Sequence, residues 1–350
     1  MAAKNILRPE LNAILEQTAP LWEEMRGERI FIAGGTGFIG TWLLESFVHV
    51  NRCLDLKAKA VVLTRDPAAY AKRAPHLLGQ SVIFRRGNVL DFRAPAGRFV
   101  AVIHAAANLA SRRDAAATGP LEAWKILVRG TEHILEGAAK MGARKFLLTS
   151  SGAIYGTQPS ELKRMPETYR GAPILGEADF VYGEGKRTAE MLCALYGAAS
   201  GIECKIARLF ACVGPWQPID SYFAIVNFIR DVLHGRLPQI TGDGRPYRSY
   251  LYGADVVVWL WTILFRGAPN EPYNVGSEYE ITIFETAKLV ARCGGFDAEL
   301  IKAPPAKKNV EPALRYVPDT AKARTTLGLS ERVTLEEAVD RTLEWHRLHS

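Results

Sequence analysis

A short apolar run at residues 29–33 leads straight into Gly34-Gly35-Thr36-Gly37-Phe38-Ile39-Gly40 and then into an amphipathic stretch. Gly35, Gly37 and Gly40 meet the spacing G-x-G-x-x-G, and Gly34, Gly37 and Gly40 meet G-x-x-G-x-x-G. Without side chains the turn can be tight and its backbone can approach a pyrophosphate. The helix that follows offers free N–H groups and positive potential to the same anion. Glycine spacing alone is a weak signal. Between a strand and a helix, near the start of an α/β pattern, it specifies a dinucleotide-binding turn.

The rest of the chain supplies that pattern. Apolar strands are expected at 29–33, 60–64, 82–86, 100–104, 145–149 and 205–209, with helical spacing at 38–50, 121–141 and 183–199. Strands of this kind alternating with amphipathic helices predict an α/β fold of Rossmann type, a doubly wound parallel sheet. Residues 1–28 are expected to form a helical extension packed on the main domain or on a second subunit. Residues 29–214 would form the dinucleotide-binding domain. Residues 215–350 would form mainly a smaller substrate-binding lobe, with some segments returning to the first domain.

Bulk properties exclude other classes. With 48% apolar and 23% charged residues the chain is globular. Its net charge of +7 is spread along the chain without a basic block, so neither a nucleic-acid partner nor a membrane tail is indicated. A mildly basic surface suits an anionic small substrate. The apolar run 256–265 stops at Arg266 and is too short for a bilayer. Acidic residues interrupt the N-terminal segment, so no signal peptide is expected. Five cysteines without a C-x-x-C pair predict reduced thiols, no zinc or other metal site, and a cytoplasmic protein.

The end of the second strand bears on the cofactor. A carboxylate there would bind the ribose 2′-hydroxyl of NAD, whereas an arginine accommodates the 2′-phosphate of NADP. The strand ends in Thr64-Arg65-Asp66, which favours NADP and leaves NAD possible.

Tyr182 and Lys186 lie four residues apart and share a face if helical. A free phenol ionises near pH 10, and a neighbouring cation brings that value toward the working range of a proton-transfer group. The strand at 145–149 runs into Ser150-Ser151-Gly152, which places a hydroxyl at the C-terminal sheet edge where ligands bind.

With these residues in view, the chain resembles the extended short-chain dehydrogenase/reductase family, the NAD-dependent epimerase/dehydratase group, in its nucleotide-sugar branch. The resemblance runs from about Arg29 to about Trp345. It covers the glycine turn, Gly87-Asn88-Val89-Leu90-Asp91, the segment 102–107, Gly130-Thr131, the segment 150–156 and Tyr182 to Lys186 with Glu190. Further on it covers Arg208-Leu209-Phe210, Arg248-Ser249-Tyr250, Asn274-Val275-Gly276 and Arg315-Tyr316-Val317-Pro318-Asp319.

The resemblance implies Ser151, Tyr182 and Lys186 as catalytic residues. Tyr182 would be the acid/base, Lys186 would hold the nicotinamide ribose and depress the phenol, and Ser151 would bond the reacting oxygen. The dinucleotide would lie along Gly34, Gly37, Phe38, Ile39, Gly40, Thr64, Arg65, Ala105, Ala106 and Ala107, with Asn88 and Val89 beside the adenine. Asn227, Arg248 and Arg315 would bind substrate, the two arginines gripping diphosphate oxygens. A homodimer through the helices at 121–141 and 183–199 is a further family expectation.

Departures from the family pattern bear on the reaction. Related 4,6-dehydratases carry Asp-Glu directly after the catalytic hydroxyl residue, and decarboxylases keep the Glu, where this chain has Gly152 and Ala153. Both activities are therefore expected to be disfavoured. The asparagines usual just before Gly130-Thr131 and after Phe210 are absent, Leu127-Val128-Arg129 and Ala211 standing there. The favoured expectation is a 4-ketoreductase for a nucleotide-linked 4-keto sugar. A 4-epimerase with retained cofactor is the alternative, and a non-catalytic dinucleotide sensor comes further behind. His104, Trp259, Trp261, His346 and His349 are assigned structural roles.

Overall fold

The computed structural model describes residues 6–79, 81–106, 119–174, 180–303 and 312–349. Strands β1 (Arg29–Ala33), β2 (Lys59–Thr64), β3 (Val82–Arg86), β4 (Ala101–His104), β5 (Lys145–Ser151) and β6 (Glu203–Leu209) form within a residue or two of the apolar runs. They alternate with α2 (Phe38–Cys53), α3 (Pro67–Arg73) and the helices Pro120–Lys140 and Val181–Ser200, all of them preceded by α1 (Arg8–Thr18).

Two short strands, β7 (Cys212–Val213) and β9 (Leu251–Tyr252), pair with each other. The strand β10 (Pro272–Val275) then joins the main sheet beside β6. Among the described residues the main sheet has seven parallel strands in the order β10-β6-β5-β4-β1-β2-β3. Chain order reverses at β1, which is flanked by β2 and β4, so a crevice opens at the C-terminal ends of those strands. In register, Ala33 pairs with His104, His104 with Leu148, and Ser151 with Leu209. The glycine turn and Ser151 therefore share one sheet edge.

The N-terminal segment packs on the helix Gly253–Arg266 and on α2. The helix Gly253–Arg266 is buried over its whole length except Arg266, as expected of a helix apolar all round. One side lies toward the sheet and α2, and α1 with the turn Ala19–Met25 covers another. Trp22 is fully buried, with its ring centroid 4.6 Å from that of Trp261 and 6.0 Å from that of Phe265. Trp261 donates to Ser46 Oγ at 2.9 Å, so both indoles are core groups. Lys145, at the start of β5, forms an ion pair with Glu24. No helix among the described residues is long and apolar enough to cross a membrane.

A second, three-stranded sheet has the order β11 (Ile281–Thr282), β8 (Tyr247–Arg248), β12 (Arg315–Tyr316). Strand β12 runs parallel to β8, pairing Arg315 with Tyr247 and Tyr316 with Arg248. The segment after β12 is tied to the loop that follows β5. Met165 N donates to Val317 O at 2.8 Å and Val317 N to Gln158 Oε1 at 3.0 Å. The small sheet is thereby held over the crevice edge that carries Ser151.

Candidate active site

The glycines of the first turn are required by their surroundings. Gly34 has φ +83°, and a Cβ there would lie 2.5 Å from the backbone of Ala106. A Cβ on Gly40 would strike the carbonyl of Gly34. Gly37 differs, because its nearest neighbour would be 3.5 Å away. It borders open space and is the N-cap of α2, with no side chain capping that helix. The first bond into the helix is Thr41 N to Gly37 O, at 2.8 Å. That leaves the N–H groups of Phe38, Ile39 and Gly40 without intrahelical partners. An open backbone cradle facing an uncapped helix N-terminus fits a pyrophosphate.

The ribose and adenine ends follow along the same edge. Thr64 Oγ1 lies 3.3 Å from Thr36 Oγ1, and Arg65 is exposed. Asp66 does not swing back, because its carboxylate caps α3 by accepting from Ala69 N at 2.9 Å. Arg73, which the sequence reading missed, donates to Thr36 O and to Thr41 Oγ1 at 3.2 Å. Asn88 is half-buried in the turn after β3, and Val89 packs beneath it against Gly130. Ala105 and Ala106 follow β4 across from Gly34, and Ala107 lies outside the described residues.

Ser151 ends β5, and its Oγ accepts the N–H of Ala153 at 3.1 Å. Tyr182 and Lys186 stand on the helix Val181–Ser200, which approaches closely because Gly183 meets the carbonyl of Ala153 and Gly185 meets Leu127. Tyr182 reaches the side chain of Ser151. Burial pushes its phenol above the ordinary tyrosine value, and the bond to Ser151 opposes that rise. Lys186 is buried and donates to Thr149 O at 2.7 Å. Burial pulls its ammonium down to about 8, against the opposing influence of Cys193 and Glu190.

A buried polar network underlies these residues. Ser150 donates to Glu190, and Arg208 grips the same carboxylate through three bonds of 2.7 to 3.2 Å. Arg208 also donates to Tyr155 Oη at 2.8 Å, and Tyr155 donates to Asn274 Oδ1 at 2.8 Å. The chain of bonds joins β5, the Tyr182 helix, β6 and β10. His104 Nε2 lies 3.0 Å from Thr131 Oγ1, whose hydroxyl donates to Leu127 O, so the ring must be the donor. Burial pushes His104 down to about 3, so it is neutral and holds its place in the core.

Of the three expected substrate residues, the two arginines stand on opposite faces of the small sheet. Asn227 is half-buried on the helix Ala224–Leu233. Arg248 is the register neighbour of Tyr316, whose phenol reaches Ser151 and lies near Tyr182. Arg315 points to the other face of the small sheet, where it pairs with Glu280 and lies 4.0 Å over the Tyr247 ring. The two arginines therefore do not form one diphosphate clamp. Tyr316 takes the inward place, one residue along from the arginine that sequence reasoning selected.

Residues 30–276 match the model of the NAD dependent epimerase/dehydratase family. The chain is 32% identical over 327 residues to UDP-glucuronic acid decarboxylase 3 of Arabidopsis thaliana, covering 91% of this chain and 89% of that protein. It is similar to the UDP-glucose 4-epimerase of Thermotoga maritima solved with UDP-glucose, with a TM-score of 0.74, 26% identity and coverage of 91% and 99%. It shares its fold with DesIV, a dTDP-glucose 4,6-dehydratase of Streptomyces venezuelae, with a TM-score of 0.75, 23% identity and coverage of 91% and 97%.

These likenesses overturn the expectation that decarboxylation and dehydration are disfavoured, and they do not single out a 4-ketoreductase. Gly152 and Ala153 supply no acid and base beside Ser151. Once C4 of a uronic acid is a ketone, its carboxylate is β to a carbonyl and departs without such a pair.

Proposed function

The chain belongs to the NAD dependent epimerase/dehydratase family, and on that footing we propose that it oxidises and re-reduces a carbinol of a nucleotide-linked sugar. We take the substrate class to be a UDP-linked hexuronic acid. The observation that carries the reading is the meeting of Ser151 and Tyr182 at the edge of β5, with the buried Lys186 on the next helical turn from Tyr182. The names of relatives matching nearly the whole chain support the hexuronic acid.

In this reading Ser151 and Tyr182 hold the reacting oxygen between two hydroxyls. Tyr182 takes the carbinol proton on oxidation and returns one to the ketone on reduction. The amides of Phe38, Ile39 and Gly40 hold the pyrophosphate, and Lys186 holds the nicotinamide ribose. When bound, the dinucleotide takes up and returns the hydride. NADP is our favoured form, because Asp66 is occupied at a helix cap and leaves the ribose end to Thr64, Arg65 and Arg73. NAD is the alternative and accords with the family description.

A C4 ketone lets the C5–C6 bond break with its electron pair entering the carbonyl system, and carbon dioxide leaves. Hydroxyls on the ketone oxygen stabilise the enolate that forms. Epimerisation at the same carbon is a second reading, favoured by the likeness to the Thermotoga 4-epimerase. We also assign a homodimer to the helices Pro120–Lys140 and Val181–Ser200, where Leu121, Trp124, Met191 and Leu195 are exposed.

The test is incubation with UDP-glucuronate and either dinucleotide, following carbon dioxide and product mass. Release of carbon dioxide with a UDP-pentose product is the expected result, and an isomer without gas supports the second reading. Stoichiometric consumption of reduced dinucleotide contradicts both.

A further inference from the structure

Helix α2 carries a row of groups that meets the segment after β2. Gly37, Thr41 and Glu45 recur every fourth residue and share one face of α2. Tyr70, Arg73 and His76 recur every third residue along α3 and the turn Pro75–Leu77 that follows it. Tyr70 donates to Thr41 Oγ1 at 3.2 Å. Arg73 donates to the same oxygen at 3.2 Å and to Thr36 O. His76 Nε2 lies 2.7 Å from Glu45 Oε1. Thr41 in turn donates to Gly37 O at 2.8 Å. Thr36 and Gly37 belong to the turn that opens to a pyrophosphate, so Arg73 holds that turn by its carbonyl.

The His76 contact is the one that involves a buried charge. Glu45 is 3% exposed, and among the described residues its one hydrogen-bond partner is His76. Loss of the imidazolium charge leaves that carboxylate buried without a counter-charge. The bond to Glu45 holds the imidazolium above the ordinary histidine value, against the pull of burial. The other titratable groups around it are Tyr70 and Arg73 of its own segment, and His349 of the helix Leu335–His349. Arg73, His76 and His349 all face the ring of Trp216, at 5.9, 6.1 and 6.5 Å. Trp216 is a bulky residue at φ +71°, so the segment after β7 is fixed against the same cations.

We propose that Arg73 and His76 are positioning residues for the dinucleotide: the charged pair of His76 with Glu45 keeps α3 against α2, and Arg73 then keeps the pyrophosphate turn in its binding arrangement. The inference rests on the dinucleotide site described above. As rising pH removes the proton of His76 the pair is lost. The fraction of protein with a binding-competent turn then falls, and the apparent dinucleotide Kd rises.

NAD is the probe, because the 2′-phosphate of NADP itself titrates near pH 6. Calorimetric titration of NAD into the parent, His76→Gln and Arg73→Met is carried out at about pH 6 and about pH 9, with thermal unfolding of each sample as the check on folding. Both side chains are exposed, so both variants are expected to fold. Lys186, whose ammonium lies at about 8, acts alike in all three proteins, so the ratio of variant to parent Kd is the readout. For His76→Gln that ratio is expected to be about five at the lower pH and about one at the higher. For Arg73→Met it is expected to be about five or more at the lower pH. A His76→Gln ratio that does not change with pH, or an Arg73→Met variant that binds NAD as the parent does, overturns the proposal. A parent that binds neither NAD nor NADP at either pH removes the dinucleotide site itself, and this inference with it.

Discussion

Lys186 donates to the carbonyl of Thr149 at 2.7 Å from a position where 2% of its surface meets solvent. Burial lowers its ammonium from 10.5 to about 8. Below about pH 8 both folded and unfolded chains carry the proton, and the folded state bears the cost of a buried charge. Between about 8 and 10.5 the unfolded chain binds more protons, so stability rises with pH. The parent is therefore predicted to gain about 2–4 kcal/mol over Lys186→Met across that window. Urea unfolding of both proteins at pH 7 and at pH 10.5 measures the change. A constant difference contradicts the buried ammonium.

The two kinds of glycine in the first turn are predicted to separate stability from binding. Gly37 has ordinary φ and open space, so Gly37→Ala should change stability by no more than about 0.5 kcal/mol. Its methyl stands where the pyrophosphate approaches, and dinucleotide affinity should fall at least about tenfold. Gly40→Ala drives its Cβ into the Gly34 carbonyl and should cost about 2 kcal/mol or more of stability as well. Thermal unfolding and dinucleotide titration of the two variants check the contrast.

Glu190 and Arg208 form an ion pair with side chains 11% and 12% exposed. Glu190→Ala leaves a buried guanidinium short of its counter-charge and should destabilise the fold by about 3–5 kcal/mol. Because Ser150 donates to the same carboxylate, the variant should also lose activity at temperatures where it remains folded. Denaturant unfolding alongside turnover measures both effects.

What the sequence made legible was local. The glycine turn, the strands and the four-residue spacing of Tyr182 and Lys186 each lie within one strand, one turn or one helix, where period and spacing carry the signal. The inward place of Tyr316 was not legible. Arg315 and Tyr316 are adjacent on a two-residue strand, and a shift of one residue moves a side chain to the opposite face. Family pattern selected the arginine, and pairing with β8 decides the matter. Arg73 was missed because its approach to Thr36 depends on how α3 packs. The partner of the N-terminal segment was hidden for a similar reason. Its apolar spacing was visible, whereas the helix it covers lies more than 200 residues away in sequence. Dependence on a carboxylate after Ser151 was a chemical misjudgement and not a structural one.

Ser151 and Tyr182 are assigned proton transfer on a nucleotide-linked sugar. Turnover of UDP-glucuronate by the parent and by Tyr182→Phe, with dinucleotide affinity measured on the same samples, tests it most directly. The variant is expected to lose about a thousandfold in kcat while its dinucleotide Kd stays within about twofold. Turnover by Tyr182→Phe at the parent rate would contradict it.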